Sequence, residues 1–251
     1  MALTSSSVAD DHPLKDQERA ELRKNLDEGI KSMSEQIADN PKSVELHSRR
    51  GDYYFFRGAF DKAVADYEKM VELNERLDES HWRRGIAFFY AKNFKKAAHQ
   101  FEIYHSFDDV DRENGIWRYL SQCQAYGIPK AREGLLKYKK DDREPFPDVY
   151  QLFAGKIAAD EILKKINAAE ISDSQREMRL FYAHLYIGLN YFVEKKLKQA
   201  ETHLRLSTGN KWGPKAGFGP NYMWHVGRVH YDWLVAERNK KPVEKKNDTK
   251  K

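Results

Sequence analysis

HSRRGDYYFFRGAFDKAVADY (residues 47–67) and HWRRGIAFFYAKNFKKAAHQF (residues 81–101) align without a gap at a spacing of 34 residues. His47 falls on His81, Arg50 on Arg84, Gly51 on Gly85, Phe60 on Phe94, Lys62 on Lys96, Ala63 on Ala97 and Tyr67 on Phe101. A fixed period of this length marks a repeat of one supersecondary unit. Each unit reads as two antiparallel helices. The first carries a small residue, Gly51 or Gly85, where its partner approaches closely, and an aromatic, Tyr54 or Phe88, one turn later. A short polar turn follows (57–59, 92–93). The second helix then presents Ala63 and Tyr67 four residues apart on one face. One such pair cannot bury both of its faces, so units must stack.

Working outward, a further step of 34 from Ala97 and Phe101 reaches Ala131 and Leu135, with Tyr119 standing where the glycine was. A fourth unit, FYAHLYIGLNYFVEKKLKQAETHLRLS (181–207), recovers the spacing through Gly188, Tyr191, Leu197, Ala200 and Leu204. The pattern predicts helix pairs at about 44–75, 78–106, 112–138 and 178–207, preceded by a helix from about Gln17 to Asp39 that stops before Pro41. Between the third and fourth units, Pro145 and Pro147 exclude a continuous helix. Residues 139–177 are therefore expected to form a non-repeat insertion with two short helices, the second over 158–168. After a Gly/Pro/Asn-rich loop (207–221), YMWHVGRVHYDWLVAERN (222–239) predicts a last helix. Its apolar side, Trp224, Tyr231, Trp233 and Leu234, would cap the final open face.

This pattern resembles the tetratricopeptide repeat family over roughly 44–138 and 179–207. With its insertion and last unit the chain is also similar to bacterial tetratricopeptide lipoproteins of the NlpI kind. The resemblance implies an all-α fold: a helical-hairpin solenoid with repeats at about 44–77, 78–111, 112–138 and 178–207, a helical insertion and a C-terminal capping helix, together spanning 17–238. Residues 1–16 and the Lys-rich 239–251 are expected to be disordered. The resemblance also implies a protein-interaction scaffold or adaptor that binds a peptide or protein in the concave groove lined by the first helices. The periodicity brings Arg49 and Arg83 to equivalent places, with Asp52, Trp82, Phe89 and Trp117 on the same side. These six are the candidate binding residues, since arginine beside aromatics suits a peptide anchor. Some family members clamp acidic chaperone tails with Lys and Asn. Here the corresponding places hold Ser48, Asp52, Arg83, Glu113 and Trp117, so that clamp is not expected. The last helix or the insertion filling the groove is an equally weighted expectation.

Composition sets the remaining bounds. Aromatics are 13%, Gly and Pro are sparse, and one cysteine, Cys123, excludes an intramolecular disulfide. The net charge of +5 comes mostly from the tail, where six lysines face Glu244 and Asp248, giving +4 there and leaving about +1 for the rest. No specific nucleic-acid groove is expected. No stretch approaches the roughly 18 apolar residues of a membrane span, and the opening residues lack a charged-then-apolar signal pattern. The cytoplasm is the expected compartment, and a homo-oligomer is compatible with the reading. His99 and His105 near Asp108, Asp109 and Asp111 do not share one helix face, and His225 and His230 are five apart, so no metal site is expected. The glycines of 207–221 lack the Gly-Lys-Ser/Thr ending of a phosphate loop, and no cofactor motif occurs. The alternative reading is an enzyme with a site in the 139–170 insertion or the 207–221 loop; no nucleophile, base or cofactor signature supports it.

Overall fold

A computed structural model describes residues 12–140 and 142–240, and all of the secondary structure in them is helical. In chain order the α-helices are α1 (Asp16–Asp39), α2 (Val44–Phe56), α3 (Phe60–Leu73), α4 (Trp82–Tyr90), α5 (Phe94–Phe107), α6 (Arg112–Tyr126), α7 (Ile128–Glu133), α8 (Phe146–Phe153), α9 (Ala159–Ala168), α10 (Asp173–Val193), α11 (Leu197–Gly209) and α12 (Phe218–Asn239). Each helix packs on its sequence neighbour through α7, and α10 packs on α9 and α11. None of the helices among the described residues is long and apolar enough to cross a membrane.

The glycines act as the period requires. A Cβ on Gly51 would lie 2.6 Å from the Tyr67 ring, one on Gly85 2.6 Å from Phe101, and one on Gly188 2.8 Å from Leu204. The turns repeat as well. Gly58 (φ 81°), Lys92 (φ 61°) and Lys195 (φ 64°) each hold the left-handed conformation that ends the first helix. The amide that follows each returns to the carbonyl of Tyr54, Phe88 or Tyr191, at 2.8, 2.8 and 2.9 Å.

The third pair departs from the expectation. Its second helix stops at Glu133, short of Leu135, so nothing arrives from it opposite Tyr119. Tyr119 fills that space itself and meets Phe153 of the insertion edge-on at 5.3 Å. The close crossing moves one turn earlier to Gly115, where a Cβ would lie 2.6 Å from the Tyr138 hydroxyl and 2.9 Å from that of Tyr150. The second unit also starts late. His81 accepts the Arg84 amide at 3.3 Å and caps α4, whereas its counterpart His47 lies inside α2.

The last helix does more than cap. Residues Tyr222 to Tyr231 of α12 are all buried, as in a helix surrounded on every side. It packs along α11 and reaches back to α2. Tyr222 stacks on Phe55 at 5.1 Å, His225 stacks on Phe56 at 3.8 Å, and His230 Nδ1 pairs with the Tyr90 hydroxyl at 2.9 Å. The first described residues also meet α12. His12 Nε2 lies 2.8 Å from Asp232 and Leu14 packs on the core, so 12–16 belong to the fold and not to a disordered start. The rest of that segment, 1–11, and 241–251 of the tail lie outside the described residues.

Candidate functional site

The six sequence candidates separate into three groups. Arg49 points outward and pairs with Glu45 at 2.8 Å, both side chains largely exposed. Asp52 and Arg83 bind each other. Arg83 Nη1 donates to both carboxylate oxygens at 2.7 and 2.8 Å, Arg83 Nη2 donates to Ser48 Oγ at 3.0 Å, and the Tyr67 hydroxyl donates to Asp52 at 2.6 Å. The Phe218 ring of α12 covers this guanidinium at 5.2 Å. Phe89 is buried against Trp117, with ring centroids 5.6 Å apart. The groove at Asp52 and Arg83 is thus occupied by α12. Side chains have to fill a concave face that would otherwise expose Phe55 and Phe56, and Tyr222 and His225 do so.

Trp82 and Trp117 remain beside open space. They border a half-open cavity of about 370 Å³. It lies between α4, α5, α6, α10 and α12, with Arg143 of the insertion and Trp212 of the loop before α12 completing the wall. Trp82 meets Tyr222 edge-on at 4.9 Å and so forms the border between the filled groove and the open chamber. Phe101, Tyr104, Tyr182 and Met223 supply most of the remaining apolar surface.

The polar part of the chamber is built at the start of α6. Asp111 caps that helix, its carboxylate accepting the Glu113 amide at 3.0 Å. Glu113 accepts from the Tyr186 hydroxyl and from Arg143. Arg143 also lies 3.2 Å from Asp142 and 3.8 Å from Asp111, with its guanidinium over the Phe146 ring at 4.3 Å. Three carboxylates therefore face one guanidinium, an excess of two negative charges when all are ionised. Burial and the neighbouring Glu113 charge push the Asp111 carboxyl up to about 7, against the pull of Arg143. Burial also raises Glu113, opposed by Arg143 and Tyr186. Arg143 is held above its ordinary value despite burial, because Glu113, Asp111 and Asp142 stabilise its charge.

Two buried side chains on the same wall lack complements. Asn114, 3% exposed, lies beside the Tyr138 hydroxyl, yet neither amide atom makes a well-formed hydrogen bond. The indole nitrogen of Trp117, 2% exposed, has no acceptor. Native interiors rarely leave such groups unpaired, and those that remain call for an explanation.

Sequence reasoning placed Glu113 and Trp117 near the groove and missed Arg143, Asn114, Tyr182 and Trp212. Arg143 stands 30 residues from Glu113, in an insertion without periodicity, so no local signal could have paired them. The histidines serve packing: His47 binds Asp66 at 2.9 Å, and His184 Nδ1 lies 2.9 Å from His203 Nδ1. Burial pushes the Cys123 thiol up to about 11, away from nucleophilic use. Among the described residues no three His, Cys, Asp or Glu are grouped to hold a metal ion. No family model and no curated protein matches this chain.

Proposed function

We propose that this chain is a repeat protein of the tetratricopeptide type that binds a peptide or a flexible protein segment in the chamber bounded by Trp82, Trp117, Arg143 and Trp212. The supporting observation is the cavity itself: a half-open space walled by aromatics, with the charged groups of Asp111, Glu113 and Arg143 on it. Pockets of this kind, apolar with a few convergent polar groups, are the usual place for a ligand. The chamber replaces the groove at Arg49, Asp52, Arg83 and Phe89 as the binding surface. An acidic chaperone tail does not fit this reading, because Arg83 already serves Asp52 and Ser48. The cytoplasm is the proposed compartment, in keeping with the lone cysteine.

A second reading has one observation in its favour. Asp111, with a carboxyl near 7, would suit a general acid or base, and the insertion and loop both reach the chamber. It lacks a nucleophile or cofactor motif.

The test is capture of partners by the intact chain, followed by titration of each captured partner against variants. Trp82 and Trp212 are half-buried, so alanine there removes wall without emptying the core. Trp82→Ala and Trp212→Ala should each weaken binding by tenfold or more, since an aromatic anchor at an interface contributes about 2 kcal/mol. A folded Trp82→Ala/Trp212→Ala double variant that keeps every partner at full affinity would refute the chamber.

A further inference from the structure

We infer that the chamber selects a basic peptide segment, seating a lysine or arginine side chain between its aromatic walls and the Asp111 and Glu113 carboxylates. The inference rests on the reading of the chamber as a peptide site and specifies what that site recognises.

Two observations converge on a cation. The first is the charge imbalance: Arg143 is contacted by Asp111, Glu113 and Asp142, so above about pH 7, where Asp111 is ionised, one guanidinium leaves carboxylate charge over. An arriving anion would meet that excess and would find the one cation already engaged. The second is the wall. Trp82, Tyr104, Trp117, Tyr182 and Trp212 all border the space. Ring faces attract ammonium and guanidinium groups, and more strongly once water is excluded. The molecule already uses this chemistry there, with Arg143 over Phe146 at 4.3 Å and over Tyr182 at 5.6 Å. A neutral apolar ligand would leave the carboxylates desolvated without partners, which is costly. A basic side chain satisfies both features at once.

The charge of the rest of the chain makes the claim testable. The net charge is +5, of which +4 lies in 239–251, so the rest of the chain offers no general attraction to a basic peptide and a preference for one has to come from a local site. The probes are three fluorescein-labelled nonapeptides of Ala, Gly and Leu in which the same three positions are all Lys, all Gln or all Glu. Binding is read by anisotropy against the full chain at about 0.15 M salt, where exposed charges are screened within about 8 Å. The variants are Glu113→Gln, which is isosteric, and Asp111→Asn, which keeps the cap on α6. Melting curves establish that both are folded.

The Lys peptide should bind at least about tenfold more tightly than the Gln peptide, and the Glu peptide least. Each variant should weaken the Lys peptide by about tenfold and change the Gln peptide by less than about twofold. A Gln or Glu peptide that binds as tightly as the Lys peptide, with Trp82→Ala still weakening it, overturns cation selection and leaves the peptide chamber standing. Lys-peptide binding indifferent to Glu113→Gln, Asp111→Asn and Trp82→Ala places the attraction elsewhere and overturns both. Failure of all three peptides to bind at millimolar concentration also overturns both.

Discussion

Two parts of the molecule, the α2–α4 region and the start of α6, use the same residue types to opposite effect. At the α2–α4 end, one carboxylate meets one guanidinium, Tyr67 completes the set, and Phe218 and Tyr222 close over it. At the α6 end, three carboxylates share Arg143 beside open space. In the first arrangement Asp52, Arg83 and Tyr67 have spent their bonding capacity on one another. In the second, carboxylate capacity is left over. Aromatic and charged residues in a groove are not enough to identify a binding surface; whether their bonding capacity is already taken decides it.

The sharpest way to break the closed end is Asp52→Ala. It leaves the buried Arg83 charge with Ser48 and the Tyr67 hydroxyl with Tyr222 as their remaining neutral partners, and loss of one member of such an ion pair costs about 3–5 kcal/mol. Chemical denaturation should show that loss; a change under about 1 kcal/mol would mean that water reaches Arg83 and the end is not closed. Gly85→Leu comes next, at about 2–4 kcal/mol, because the new side chain would run into the buried Phe101 ring. Melting unchanged from wild type would show that α4 and α5 can separate freely.

The open end should behave in the reverse sense. Asp111 ionises less readily in the folded chain than in the unfolded one, with its carboxyl raised from 3.8 to about 7. Its contribution to stability is most favourable below about pH 4, declines as pH rises, and carries its full penalty above about pH 7. Asp111→Asn keeps the helix cap and removes the titration, so it should be more stable than wild type at pH 8, with the difference fading toward pH 4. A variant less stable than wild type at pH 8 would mean that attraction to Arg143 outweighs burial and repulsion by Glu113. The smallest effect belongs to Arg49→Ala. Its pair with Glu45 is solvated, so stability should change by under about 0.5 kcal/mol and partner affinity should stay at the wild-type value.

What could be read in advance follows the range of the interactions. Gly51, Gly85 and Gly188 each announce a crossing 16 residues away, inside one repeat, and a period displays them in copies. The turn at Lys92 is recognisable only because Gly58 occupies the same place, since lysine carries no signal of a left-handed residue. The contacts of α12 with Phe55, Phe56 and Tyr90 span 140 residues or more and leave no periodic trace. That distance is why an open groove at Arg49, Asp52, Arg83 and Phe89 and one filled by the last helix or the insertion carry equal weight in the sequence. The chamber was half legible: Glu113 and Trp117 lie on a first helix in register with the repeats. Arg143 and Trp212 come from irregular segments whose destination depends on the whole fold.

The meeting of His12 with Asp232 has a consequence for the history available to this chain. An open stack of hairpins can lose or duplicate a unit at either end, because each unit touches only its neighbours. Here His12, just before α1, is tied to Asp232 of α12, and α12 reaches helices 140 residues earlier in the chain. Adding or deleting one 34-residue unit would carry His12 and Asp232 apart and pull α12 out of line with Phe55 and Phe56. The number of hairpins is thereby fixed by closure, and change in such a chain has to come residue by residue.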